Sequence, residues 1–164
     1  LESLALPEHY AATQIRGGDK VTEVELYEPS LFAKALTENT DLRDVLLLTD
    51  DYSILERMRT YYPQFRWFSL CSPEEKGYYN NSFTHTAANA KRKQMERFLA
   101  QIDGMTRADF FTGSIAVGPS LFLLEMLYPR GKAIDCEPQQ LARAAQLSIP
   151  ERDKVARDFL QQRS

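Results

Sequence analysis

Three segments of this chain hold the residue types that chemistry needs. The first is Gln14-Ile15-Arg16-Gly17-Gly18-Asp19-Lys20, which gathers a guanidinium, two glycines, a carboxylate and an ammonium in one turn. Glycine lets a backbone approach a ligand closely. A guanidinium suits bidentate contact with phosphate, and an ammonium adds a point charge. Such a turn can hold a diphosphate as negative charge builds on it. It reads equally as a polar surface turn closed by an Arg–Asp pair, and it is neither a Walker loop nor a G-x-G-x-x-G turn. Glu23 and Glu25 follow closely, and either carboxylate could serve as a base or simply be solvated.

The second segment is Thr49-Asp50-Asp51. Adjacent carboxylates can bind a divalent cation or accept hydrogen bonds from a base or sugar. One of them is expected to cap the helix that follows, which leaves the other for a ligand. The third segment runs from Gly113 and Ser114 to Pro119 and Ser120. Backbone amides at a helix start can hold an anion there, or the small residues only permit close packing. His9, His85 and the run Lys91-Arg92-Lys93 read as solvated side chains. Tyr61, Tyr62, Phe65, Trp67 and Phe68 read as core, and Asn80-Asn81-Ser82 matches a glycosylation sequon, a pattern common by chance. Cys71 and Cys136 lack metal-ligand spacing.

The elements that must position these residues alternate. Strands are expected at Ala11–Ile15, Asp44–Thr49, Phe65–Leu70, Asp109–Gly113 and Lys132–Cys136. Val45 to Leu48 is apolar without alternation, as in a strand covered on both faces. Helices are expected at Pro29–Leu36 and at Ser53–Tyr61, with Ser53 and Glu56 as a capping box. Further helices are expected at Ala87–Met105, with Met95, Phe98, Leu99 and Ile102 on the core side, and at Pro119–Leu127, which is apolar almost all round and so expected to be buried. Ser72–Thr86 reads as a long loop, and 139–164 as polar helix divided at Pro150. Alternating strands and helices imply right-handed crossovers and a parallel sheet, with ligands outside the carboxyl ends of its strands.

The chain has 164 residues, the size of one domain, with 43% hydrophobic and 26% charged residues. Twenty Lys and Arg against 23 Asp and Glu leave a net charge of -3. That excludes a strongly basic nucleic-acid surface as the main feature, while leaving room for a local basic pocket. No apolar run approaches the ~20 residues that span a bilayer.

Taken together, the segments resemble the fucosyltransferases that include the α-1,6-fucosyltransferases, the rhizobial nodulation fucosyltransferases and, more distantly, the protein O-fucosyltransferases. In that family a strand ends in His-Val-Arg-Arg-x-Asp-Lys, close to Gln14–Lys20. A later strand ends in Thr-Asp-Asp before a helix closing on Tyr-Pro, similar to Val45–Asp51 and Tyr62-Pro63. A third stretch, Ala-Asp-Phe before a Ser-rich turn, is similar to Ala108-Asp109-Phe110 followed by Thr112-Gly113-Ser114. The family histidine is Gln14 here, its second arginine is Gly17, its guanine-reading aspartate falls on Gln101, and its paired serines fall on Ala116 and Val117.

The resemblance implies an α/β, Rossmann-like doubly wound parallel sheet of about five strands, the C-terminal half of a GT-B type glycosyltransferase. Residues 1–136 would form the nucleotide-sugar-binding domain and 137–164 a polar helical extension. A missing N-terminal domain of the same protein would supply the other half. Arg16, Lys20 and Glu23 would be catalytic, with Arg16 on the β-phosphate and Glu23 as base. Gln14, Arg16, Asp19, Asp50, Asp51, Gln101 and Ser114 would bind the nucleotide-sugar. The expected reaction is inverting transfer of fucose from GDP-fucose, a substrate, to a hydroxyl of a glycan or protein, with no metal or other cofactor and no nucleic acid. The compartment would be the secretory pathway in a eukaryote and the cytoplasm in a bacterium. A non-catalytic nucleotide- or glycan-binding domain derived from such an enzyme is the alternative. A receiver-like domain with Asp50-Asp51 as its acidic pocket is a third reading.

Overall fold

The short apolar runs form a sheet that is sealed on both faces. In the computed structural model, which describes residues 4–17, 28–115 and 117–136, five strands pair in parallel. They are β1 (Ala11–Gln14), β2 (Asp44–Leu48), β3 (Arg66–Phe68), β4 (Phe110–Gly113) and β5 (Ala133–Asp135), in the order β3-β2-β1-β4-β5. The helices are α1 (Pro29–Asn39), α2 (Tyr52–Tyr61), α3 (Asn80–His85), α4 (Ala88–Thr106) and α5 (Gly118–Leu127). The extension at 137–164 lies outside the described residues.

Register explains the two cores. Ala11 pairs with both Val45 and Phe110, and Ala12 with both Leu46 and Phe111. Side chains alternate between faces along a strand. Ala11, Val45, Leu47 and Trp67 therefore meet Phe32 and Leu36 of α1 and Leu55 and Met58 of α2. Ala12, Leu46, Phe111 and Ala133 meet Met105 of α4 and Leu123, Leu124 and Leu127 of α5. Each such large aliphatic or aromatic side chain contributes about 1.5–3 kcal/mol when fully buried. Helices on both faces make this a Rossmann-like, doubly wound α/β fold.

The strand order decides where ligands can enter. From β1 the chain steps outward through β2 to β3, then crosses back to β4 on the other side of β1. The switch point thus lies between β1 and β4, at their carboxyl ends. A receiver-like order would place β3 beside β1, whereas β1 here lies between β2 and β4. The sheet order is therefore not that of a receiver.

Several local expectations shift. The α2 helix starts at Tyr52, and its cap is Asp51 rather than a Ser53/Glu56 box. The long loop contains α3. Tyr61 and Phe122 are exposed, so Tyr61 is not core and α5 is not buried all round. On α4, Met95 and Leu99 are 47% and 56% exposed, while Gln101, Gly104 and Met105 are buried. The reason is that only the carboxyl half of α4 packs on the sheet. Met105 sits in the core and Gly104 O accepts the Tyr10 hydroxyl at 2.7 Å. Met95 in the amino half lines a cleft instead.

Candidate functional site

A cleft of about 450 Å³ opens at the carboxyl ends of β1 and β2. Its floor is Gln14, Arg16 and Asp50, one wall is the segment 74–79 with Phe83, and the other is Met95, Phe98 and Gln101 of α4, with Pro119 of α5 at the edge.

Ile15 N–H donates to Leu48 O at 3.0 Å, which carries the β1–β2 pairing one residue past the strand. Ile15 points into the core below α1 and α2. Alternation then turns Arg16 the other way, to the cleft. Gly17 N–H donates to Asp50 Oδ1 at 2.7 Å. A Cβ on Gly17 would stand 3.0 Å from Asp51 Cβ, so a side chain there would crowd the β2–α2 junction.

Asp50 ties three backbone segments together, the turn after β1, the end of β2 and the segment at 77–78. Its other oxygen, Oδ2, accepts Tyr78 N–H at 2.8 Å, and its main-chain carbonyl accepts Gly77 N–H at 2.8 Å. Tyr52 N–H donates to Glu75 O at 2.9 Å, and Asp51 and Lys76 form an antiparallel bridge. The segment 72–78 is thus strapped across the end of β2. Glu75 also accepts Ser72 N–H at 2.8 Å and pairs with Arg97 of α4. Arg16 is held within this frame. Its Nε lies 3.6 Å from Asp50 Oδ2, and its guanidinium lies over the Tyr78 ring at 5.1 Å from the centroid.

Two groups in the segment after β3 have shifted acidities, and Glu74 lines the cleft. Backbone and Ser72 hydrogen bonds hold the Glu74 carboxyl below its usual range. Burial, with Glu75 nearby, pushes the Cys71 thiol far above its usual range.

The cleft brings together Gln14, Arg16, Asp50 and Gln101 of the residues expected from sequence. Asp51 is instead the cap of α2, accepting Ser53 N–H at 2.9 Å and the Ser53 hydroxyl at 2.7 Å. Its carboxylate and that of Asp50 therefore serve different partners. Ser114 is buried in the β4–α5 turn, away from the cleft lining, and its carbonyl accepts Val117 N–H at 3.0 Å. In that turn the close-packing reading applies to Gly113, where a Cβ would lie 2.6 Å from Ser120 Oγ and 2.8 Å from Phe111 Cζ. Asp19, Lys20 and Glu23 lie outside the described residues.

Sequence reasoning missed Lys76, Tyr78, Phe83, Gln94 and Arg97 as cleft residues. The available signal was aromatic side chains inside an otherwise polar loop directly after a strand. No protein-family model matches the chain, and no curated protein matches it.

Proposed function

We propose that this chain is the nucleotide-sugar-binding domain of a glycosyltransferase, with GDP-fucose as the donor that the resemblance favours. The observation that carries the reading is Arg16. It stands in the cleft at the carboxyl end of β1, beside the switch point, oriented by Asp50 and Tyr78. A guanidinium fixed there is suited to a diphosphate.

In the proposed reaction a carboxylate removes the proton of an acceptor hydroxyl. The hydroxyl oxygen attacks the anomeric carbon from the face opposite the diphosphate. The bond to the diphosphate oxygen breaks, its electron pair stays on the phosphate, and configuration inverts. Arg16 stabilises the charge that develops on the leaving group. Lys20 and Asp19 would support the diphosphate and Glu23 would be the base, roles that rest on the resemblance. The acceptor, a glycan or protein hydroxyl, would meet the donor with help from a further, N-terminal domain.

Thermal unfolding with nucleotide tests the reading. GDP at about 100 times its dissociation constant adds ~2.7 kcal/mol, which raises Tm by roughly 5–10 °C in a domain of this size. The rise is expected in the wild type and lost in Arg16→Ala. If GDP, UDP and ADP at millimolar concentration all leave Tm unchanged, the reading fails. Binding with no transfer by the full protein would assign the cleft to a non-catalytic nucleotide-binding domain.

A further inference from the structure

Four side chains form one stack that starts at the floor of the cleft and ends behind its wall. The Arg16 guanidinium lies over the Tyr78 ring at 5.1 Å from the centroid. The Tyr78 ring meets Phe83 in a tilted contact, with centroids 5.3 Å apart. The Lys91 ammonium lies over the Phe83 ring at 5.4 Å. All three separations fall in the range of favourable cation–aromatic and aromatic–aromatic contact. Arg16, Tyr78 and Phe83 line the cleft, whereas Lys91, on α4, is outside the lining.

Lys91 is not the solvated side chain that its run suggests. Arg92 and Lys93 are exposed, but Lys91 is half-buried. It also sits at the unfavourable end of its own helix. It is the fourth residue of α4, whose first turn has no acidic side chain, and a cation near a helix amino end is disfavoured. The compensation comes from α3. Lys91 Nζ donates to Thr84 O at 2.8 Å, near the carboxyl end of that helix, where a cation is favoured. With six residues and no side-chain cap, α3 is held by its tertiary contacts. Lys91 therefore clamps the helix that carries Phe83.

The far end of the stack benefits from that clamp. Arg16 Nε is 3.6 Å from Asp50 Oδ2, an ion pair longer than a hydrogen bond. A pair of this kind fixes where the charge lies better than how its plane is turned. The face of the Tyr78 ring supplies a flat surface for that plane. The Tyr78 backbone is tied to Asp50, and its ring rests against Phe83. We infer that Lys91 is a positioning residue for Arg16: it clamps α3 and so fixes Phe83, Phe83 holds the Tyr78 ring, and that ring sets the plane in which Arg16 meets a phosphate. This rests on the reading of Arg16 as a diphosphate ligand.

Two measurements on the full chain test this. The first needs no ligand. In proton–nitrogen correlation spectra the Arg16 Nε–H, identified by its loss in Arg16→Lys, should lie away from the solvated arginines, because it is near the face of an aromatic ring. Lys91→Met should shift it toward the solvated position, and Tyr78→Leu should shift it further the same way. Lys91→Arg keeps a cation over Phe83 and should leave it in place. The second measurement is calorimetric titration with GDP and GMP, whose affinity ratio reads the grip on the second phosphate. Lys91→Met should lower that ratio about threefold, and Lys91→Arg should restore it. A merely structural role would weaken both nucleotides together and leave the ratio unchanged. Circular dichroism identifies the folded variants, and Lys91→Gln is a second variant that removes the charge. An Arg16 resonance that ignores loss of the Lys91 charge overturns the inference, as does an unchanged ratio. If the wild type binds neither nucleotide, the proposed function falls and this role falls with it, a result distinct from wild-type binding that Lys91→Met leaves intact.

Discussion

The Asp50 carboxylate accepts the Gly17 N–H at 2.7 Å, which ties the turn leaving β1 to the end of β2. Its second oxygen takes Tyr78 N–H at 2.8 Å, so the same side chain anchors the segment that walls the cleft. Arg16 lies between these two anchors, beside Asp50 and over Tyr78. One carboxylate thereby sets the position of the cation in the cleft and of the ring beneath it.

Removing that carboxylate should be felt in stability and in binding. Asp50→Ala leaves two backbone donors without their acceptor and should cost about 2 kcal/mol in urea unfolding. Asp50→Asn keeps one acceptor oxygen and should lose about half as much. Nucleotide affinity should fall in both variants, because Arg16 loses its orienting partner. An Asp50→Ala protein as stable as the wild type would show that the strap is held by other contacts.

The neighbouring carboxylate should behave differently. Asp51 caps α2 through Ser53, so Asp51→Ala should lower stability by about 1 kcal/mol, and Asp51→Ser or Asp51→Asn by a few tenths at about the level of cap exchange. Nucleotide affinity should stay at the wild-type level in all three. A selective loss of binding in Asp51→Ser would place this residue in the site after all.

Gly113→Ala probes the β4–α5 turn. The added Cβ would meet Ser120 Oγ at 2.6 Å and Phe111 Cζ at 2.8 Å, both on buried side chains. Overpacking of this kind costs about 1–3 kcal/mol. Ser120 also donates to Gln14, so its displacement should weaken ligand binding along with the fold. Thermal unfolding and nucleotide titration of the one variant read both effects, and an unchanged Tm would mean the turn relaxes freely.

His9 gives a pH-dependent signal far from the cleft. Its Nδ1 lies 2.9 Å from Asp109 Oδ2, and Lys132 Nζ approaches the other oxygen of Asp109 at 3.7 Å. The hydrogen bond and the charge of Asp109 raise the His9 pKa above 6.5. A raised folded-state value means that the stabilisation is fully present below the unfolded pKa and disappears as pH rises through the folded one. The His9 ring should titrate in NMR with a midpoint above 6.5, and Asp109→Asn should bring it down toward 6.5. A midpoint that ignores the substitution would remove Asp109 as the cause.

Much of the fold was legible because its signals are local. The uninterrupted apolar run at Val45–Leu48 announced a strand covered on both faces, and that strand is buried on both. Pro29 marked the start of α1, where it occupies the first turn. The turn at Arg16-Gly17 was singled out by composition, and it does reach the cleft. The α4 helix was legible as a helix but not in its orientation. Met95 and Leu99 carry the spacing of a core stripe, and only the docking of the other end of α4 on the sheet shows that they lie outside it.

By itself, then, the sequence determined the alternation of strands and helices, the parallel α/β class and the cluster of phosphate-suited residues after β1. These follow from periodicity, turn residues and side-chain type, all of which act within a few residues. Tertiary structure alone decided that Asp50 orients Arg16 while Asp51 caps a helix. It also decided that Gln14 and Gln101, 87 positions apart, line one cleft. Those choices depend on partners such as Tyr78, Leu70 and Ser120, which are distant in sequence and meet only when the strands are ordered β3-β2-β1-β4-β5. An adjacent pair of carboxylates, or a lone amide, has the same local chemistry in either role, and only the groups packed against it break the tie.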